Sequence, residues 1–168
     1  YGSLDTMDLV YKEQLDMGIV ILSETVDNRF HILPTKRLQL VYCVDKAHPL
    51  AGRPKVTLRD LRDEKIIVMR STSYSLGKMV IDAFHREGIE PNIQLHSSQL
   101  MLIQQNIHEG DAGAFLLEDI LPYMPDTAGI PIDPPIWVNP GVIWKKGTYL
   151  NSSASNVLDF INSHLSKI

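Results

Sequence analysis

Three hydroxyl-rich runs stand immediately before helix-like segments of this chain: Gly2-Ser3, Ser71-Thr72-Ser73 and Ser97-Ser98-Gln99. A serine or threonine at such a junction has one sufficient job, because its oxygen accepts a hydrogen bond from a free amide of the first helical turn. The same groups suit a second job. A helix N-terminus presents unpaired N–H groups and the positive end of the helix dipole, which together suit a carboxylate, sulfate or phosphate without a lysine. The residues alone leave both chemistries open.

Other chemistry is poorly represented. The chain has no G-x-S-x-G elbow, no H-E-x-x-H helix and no G-x-x-x-x-G-K-[ST] phosphate loop. The single cysteine, Cys43, lies in the alternating run LQLVYCV, reads as inert packing and has no internal disulfide partner, which suits a reducing compartment. The histidines (His31, His48, His85, His96, His108 and His164) show no metal-ligand spacing and read as surface or capping residues. Asp8, Glu13 and Asp16 read as a solvated face rather than paired acid and base carboxylates. No catalytic residue, metal or cofactor is expected, and the chain is not expected to be an enzyme.

The elements that would position the junctions alternate in type. Residues 4 to 15 read as a helix capped by Ser3, and MGIVIL (17 to 22) as a buried strand. FHIL (30 to 33) and RLQLVYCV (37 to 44) follow as strands, TLRDL (57 to 61) as one helical turn capped by Thr57, and KIIVM (65 to 69) as another strand. A helix from Leu76 to Glu87 is stopped by Gly88; strand NIQLH (92 to 96) and helix SQLMLIQQNIHE come next, stopped by Gly110. AGAFLL (112 to 117) is the next strand. This cycle predicts an α/β fold with a parallel sheet and crossover helices. In the final helix, NSSASNVLDFINSHL, the stripe Val157, Leu158, Ile161 and Leu165 is expected to be buried.

With 44% hydrophobic and 21% charged residues in 168, the chain reads as globular, forming one domain or two small lobes. Sixteen Lys+Arg against 20 Asp+Glu give a formal charge of −4 without a dense basic stretch, which argues against direct nucleic-acid contact by this segment. No apolar run approaches the roughly 20 residues that span a bilayer, so no membrane partner is expected. Proline-containing stretches at 46 to 54 and 131 to 135 read as linkers, poor in ladder donors. They divide the chain into a first lobe, 1–44 and 136–168, and a second lobe, 45–135, with His48, Pro49, Pro134 and Pro135 as hinge candidates. Two lobes create a cleft, and in open α/β sheets ligands sit outside the carboxyl ends of the strands.

Four segments, in order, carry a family resemblance: LDMGIVIL, DKAHPLAGRPKVTLRDLRDEKIIV, FHREGIEPNI and GVIWKKGTYLNSSASNVLDFI. Together they resemble the effector-binding domain of a LysR-type transcriptional regulator over nearly the whole chain. One stretch departs from the family pattern: GDAGAFLLED keeps Gly110 but carries Ala112 at a second glycine position and Leu117 at a proline. The resemblance implies two Rossmann-like lobes joined by two crossover strands, like type 2 periplasmic binding proteins, with a small effector in the cleft. It also implies a longer parent that is cytoplasmic, homodimeric or homotetrameric, and bound to DNA through a winged helix-turn-helix with no counterpart here. The first strand, helix and strand of the first lobe would likewise lie outside this chain.

Carried over by position, the effector contacts are Gly2 and Ser3, Ile21 and Leu22, and Ser97, Ser98 and Gln99, with Ser71 and Thr72 added from the second hydroxyl run. Ile21 and Leu22 would face an apolar portion of the ligand. A sensing domain that changes lobe angle or dimer geometry on ligand binding is the leading function class. A periplasmic solute-binding protein is the alternative on the same fold, and an enzyme the third.

Overall fold

The computed structural model describes residues 2–22, 27–69 and 76–165. The chain separates into two compact units, the first formed by Tyr1–Arg37 with Val138–Ile168 and the second by Leu38–Trp137. His48, Pro49, Pro134 and Pro135 all fall within the second.

In the first unit, α1 (Ser3–Tyr11) lies against an antiparallel sheet of β1 (Gly18–Ile21), β8 (Pro140–Lys145) and β2 (Phe30–Pro34), in the order β1-β8-β2. The helix ends earlier than its apolar spacing predicts. Glu13 adopts a left-handed backbone (φ 59°), and the Leu15 amide turns back to the Leu9 carbonyl at 3.3 Å. Lys145 on β8 pairs with the Glu13 carboxylate across this turn. Val10 of α1 packs with Val20, Phe30 and Ile143, and Met7, Leu22 and Ile32 complete the cluster. The buried reading of 17 to 22 is corrected: Val20 alone of the strand is buried and Ile19 is 68% exposed, on a strand that runs antiparallel to β8.

The final helix, α4 (Ser152–Leu165), is capped by Asn151, whose Oδ1 accepts from the Ala154 amide at 2.8 Å. Its inward stripe is Ala154, Leu158 and Ile161, spaced i, i+4, i+7. Val157 lies one residue, and hence about 100°, away from Leu158. It is 48% exposed, so its place in the expected stripe is corrected.

The second unit is a mixed sheet in the order β5-β4-β6-β3-β7. Its strands are β3 (Leu38–Asp45), β4 (Ile66–Val68), β5 (Ile93–His96), β6 (Gly113–Leu117) and β7 (Thr127–Val138), with helices α2 (Leu76–Arg86) and α3 (Leu100–His108). β4 runs parallel to β5 and β6, while β3 is antiparallel to β6. A strand buried on both faces shows its alternation in what it touches. Val41, Cys43, Ile67, Ala114 and Leu116 join Ile103 and Ile107 of α3 in one core. Tyr42 and Phe84 of α2 both meet Phe115 in the other, with ring centroids 5.3 Å and 5.9 Å from it. Gly88 and Gly110 end α2 and α3 at φ +70° and +73°, backbone angles that glycine adopts freely.

The proline-rich segment at 131 to 135 is not a break in the sheet, which corrects the linker reading. β7 runs straight through it, and Pro131, Pro134 and Pro135 are tolerated because β7 is the last strand in the order. The Val56 amide donates to Pro131 O at 2.9 Å and the Asp133 amide to Val56 O at 2.8 Å, covering part of that edge. The stretch after β3 is a chain of turns, with His48 N–H to Asp45 O, Ala51 N–H to His48 O and Arg53 N–H to Leu50 O, each at 2.9 Å.

Two outcomes follow from these contacts. Cys43 is fully buried and its thiol is pushed up to about 12 by that burial. We expect no reaction with a thiol-disulfide reagent at pH 8 until denaturant unfolds the second unit, as followed by the released chromophore. At 57 to 61, Thr57 caps a turn as expected: the Asp60 amide donates to its hydroxyl at 3.2 Å, and Asp60 Oδ2 accepts from the Thr57 amide at 2.8 Å. The Thr57 amide, and the Thr57 hydroxyl donating to the same Oδ2 at 2.7 Å, hold the Asp60 carboxyl below its ordinary value of 3.8. The stabilisation is present above the unfolded-state value and is lost as pH falls through the lowered one. Asp60→Asn should flatten the pH dependence of the urea midpoint below the ordinary carboxylate value of 3.8.

Candidate functional site

The Ser97 junction is built by the alternation of β5. Ile93, Leu95 and Ser97 turn inward, whereas Gln94, His96 and Ser98 are exposed. Ser97 is therefore the buried serine, 5% exposed, and its amide donates to Val68 O at the end of β4 at 3.1 Å. Its Oγ accepts from the Gln99 amide at 3.1 Å. Ser98 as the helix cap is corrected. The N-cap of α3 is Gln99, extended at φ −89° and ψ 106°, and its side chain makes no capping bond. The first helical bond runs from the Ile103 amide to Gln99 O, so no side chain at the cap takes the amides of the first turn.

This junction lies where β4 and β5 end. Strand β4 leads through α2 to β5 on one side of it, and β5 leads through α3 to β6 on the other. Such a reversal of strand order opens a crevice at the carboxyl ends of the parallel strands. Ser71 and Thr72 lie outside the described residues. Removing each hydroxyl separates the two serines' roles. Ser97→Ala should cost about 1 kcal/mol, the usual cost of a lost local side-chain-to-backbone bond, whereas Ser98→Ala should stay within about 0.5 kcal/mol; urea denaturation reads both.

In the first unit the structure brings Gly2, Ser3, Ile21 and Leu22 together. Ser3 is not the cap of α1, which corrects that expectation. Gly2 is the N-cap, and its amide donates to Asp5 Oδ2 at 3.3 Å. Ser3 is the first helical residue, and its Oγ accepts from the Ile21 amide at 3.0 Å, tying the helix start to the end of β1. The Leu22 amide donates to Asn139 O at 2.8 Å, and the Leu22 side chain packs on the cluster around Val10 and Phe30. A methyl group on Gly141 would stand 2.8 Å from Leu22 Cδ1.

Among the described residues no group of three or more His, Cys, Asp or Glu side chains could hold a metal ion. No helix among them is long and apolar enough to cross a membrane. Gly110 alone of the departing stretch needs the left-handed conformation, so Ala112 is accommodated in an ordinary buried position.

Comparison with known proteins places this geometry. Residues 2–166 match the family described as the LysR substrate binding domain. The chain is 27% identical over 168 residues to the uncharacterized HTH-type transcriptional regulator YwbI of Bacillus subtilis (strain 168), covering 98% of this chain and 55% of the relative. It thus spans about half the length of that relative. Among solved structures it resembles the effector binding domain of QuiR in complex with shikimate, with a TM-score of 0.84 and 19% identity over 99% of this chain and 79% of that one. It also resembles the Synechocystis PCC6803 CcmR regulatory domain in complex with 2-PG, with a TM-score of 0.83 and 22% identity over 98% and 80% of the two chains.

Proposed function

Because this chain belongs to the LysR substrate-binding domain family, we propose that it is the ligand-sensing part of a transcriptional regulator and binds a small anionic metabolite. The observation that carries the anion is the uncapped start of α3. Its first-turn amides have no capping side chain, Ser98 and Gln99 are exposed beside them, and the helix dipole adds positive potential there. Gly2, Ser3, Ile21 and Leu22 form the corresponding junction of the first unit, where Ser3 already has a structural bond to Ile21. Shikimate and 2-PG in the QuiR and CcmR complexes support a small-molecule ligand for this chain too.

The parent protein binds DNA through a segment other than this one, acts as a homodimer or homotetramer in the cytoplasm, and has no catalytic role. Binding energy that differs between two conformations shifts their populations, and reciprocity requires DNA to alter effector affinity by the same factor. Fluorescence anisotropy of the full-length regulator on its own promoter DNA, with and without a panel of small carboxylates, tests this reading. A carboxylate that changes DNA affinity in the wild type, and not in a Ser98→Ala/Gln99→Ala variant, is the expected result. DNA affinity indifferent to every carboxylate would sink it.

A further inference from the structure

The last helix of the first unit is longer than its seat can account for. α4 has 14 residues, and among its described residues Ala154 alone is buried, with Leu158 and Ile161 half-buried. A helix of this length is marginal in water unless an apolar face is packed. Beside the inward stripe runs a second one, Val157, Phe160 and His164, spaced i, i+3, i+7. Val157 is 48% and Phe160 62% exposed, and the Phe160 and His164 ring centroids lie 4.0 Å apart, so the stripe presents one surface. α4 is thus apolar over a wider arc than its neighbours in the first unit cover.

β1 shows the same deficit. It is the end strand of the order β1-β8-β2, so one row of its backbone groups has no ladder partner among the described residues. Val20 faces the cluster under α1, whereas Ile19 points to the opposite face of the sheet, where it stays exposed. The Asn151 side-chain amide donates to Asp16 Oδ2 at 3.3 Å, which holds the start of α4 beside the entry to β1. The open edge and the open stripe therefore start from one place.

The length of the related domains says what covers them. The QuiR and CcmR domains match 99% and 98% of this chain, yet the chain spans only 79% and 80% of theirs, so a domain of this fold carries about a fifth more chain than residues 1–168 supply. Both ends of the chain lie in the first unit, where that further chain joins. We propose that the parent's own sensing domain includes a segment ahead of Tyr1 that pairs with the free edge of β1 and packs apolar side chains on Ile19, Val157 and Phe160. A segment of the same chain loses no overall translational or rotational freedom on docking, which favours it over a second copy.

Thiol accessibility in the full-length regulator, with any cysteine outside residues 1–168 replaced by serine, tests this without a ligand and so independently of the anion proposed at α3. Phe160→Cys and Val157→Cys should react with a thiol-disulfide reagent at least tenfold more slowly than Tyr149→Cys, whose position is 91% exposed. The protection should survive a hundredfold dilution of the protein, and thermal unfolding verifies that each variant is folded. Benzoylphenylalanine in place of Phe160, irradiated and digested from a band of monomer mass, should link to a peptide between the DNA-binding segment and Tyr1. Rates at both stripe positions equal to that of Tyr149→Cys overturn the proposal. So does protection lost on dilution, or a link to a second copy or to the DNA-binding segment in place of that peptide.

Discussion

Gly77→Ala should lower stability by about 3 kcal/mol, the upper end of the overpacking range, and the unfolding temperature by roughly 6 to 12 °C. Gly77 lies in the first turn of α2, where the helix crosses the chain leaving β4. A methyl group there would stand 2.0 Å from Met69 O and 3.1 Å from its carbonyl carbon. These are backbone atoms flanking a buried strand, so no side-chain rotation relieves the clash. Gly113→Ala meets the Tyr42 ring instead, 2.2 Å from its hydroxyl and 2.3 Å from Cζ. It should cost a similar amount, but Tyr42→Leu in the same chain should recover part of it, because the ring it opposes is gone; a coupling of at least about 1 kcal/mol is expected. Gly52→Ala is the control, with nothing within 4 Å of the added carbon. Differential scanning calorimetry of these four variants and of Tyr42→Leu alone, which closes the cycle, decides the matter, and a Gly77→Ala chain as stable as Gly52→Ala would refute the packing argument.

The second large effect is the response to ligand. A molecule that binds only the folded state, present at 100 times its dissociation constant, adds about 2.7 kcal/mol. For a chain of this size that is roughly 5 to 10 °C of unfolding temperature. Small carboxylates should produce it, and the shift should shrink in Ser98→Ala/Gln99→Ala while the ligand-free transition stays within about 2 °C, since both side chains are exposed. A panel in which only cationic or bulky neutral compounds raise the transition contradicts an anionic ligand at α3.

The helices were legible wherever two signals agreed. α2 and α3 each combine an apolar face with a glycine stop, and both stops adopt the positive φ that makes glycine useful there. Strand direction was not legible, because an apolar run reads the same whether its neighbour is parallel or antiparallel. Gly18 pairs with Ile143, and nothing local announces a partner so far along the chain. β7 was hidden by its prolines, whose missing donors matter only on a side that another strand must use. The division of labour between Ser97 and Ser98 was available in principle: extending the period of two from Ile93 and Leu95 puts Ser97 inside. Reading both serines as helix-cap residues, rather than Ser97 as the last residue in strand register, concealed it.

In the second unit, β3 and β6 stand as a party wall between two cores that share strands but no side chains: Val41, Cys43, Ala114 and Leu116 belong to one, Tyr42 and Phe115 to the other. Variation on the two sides can therefore accumulate almost separately, since residues without common neighbours contribute additively. A lineage could retune the seat of α3 while the packing beneath α2 stays as it was.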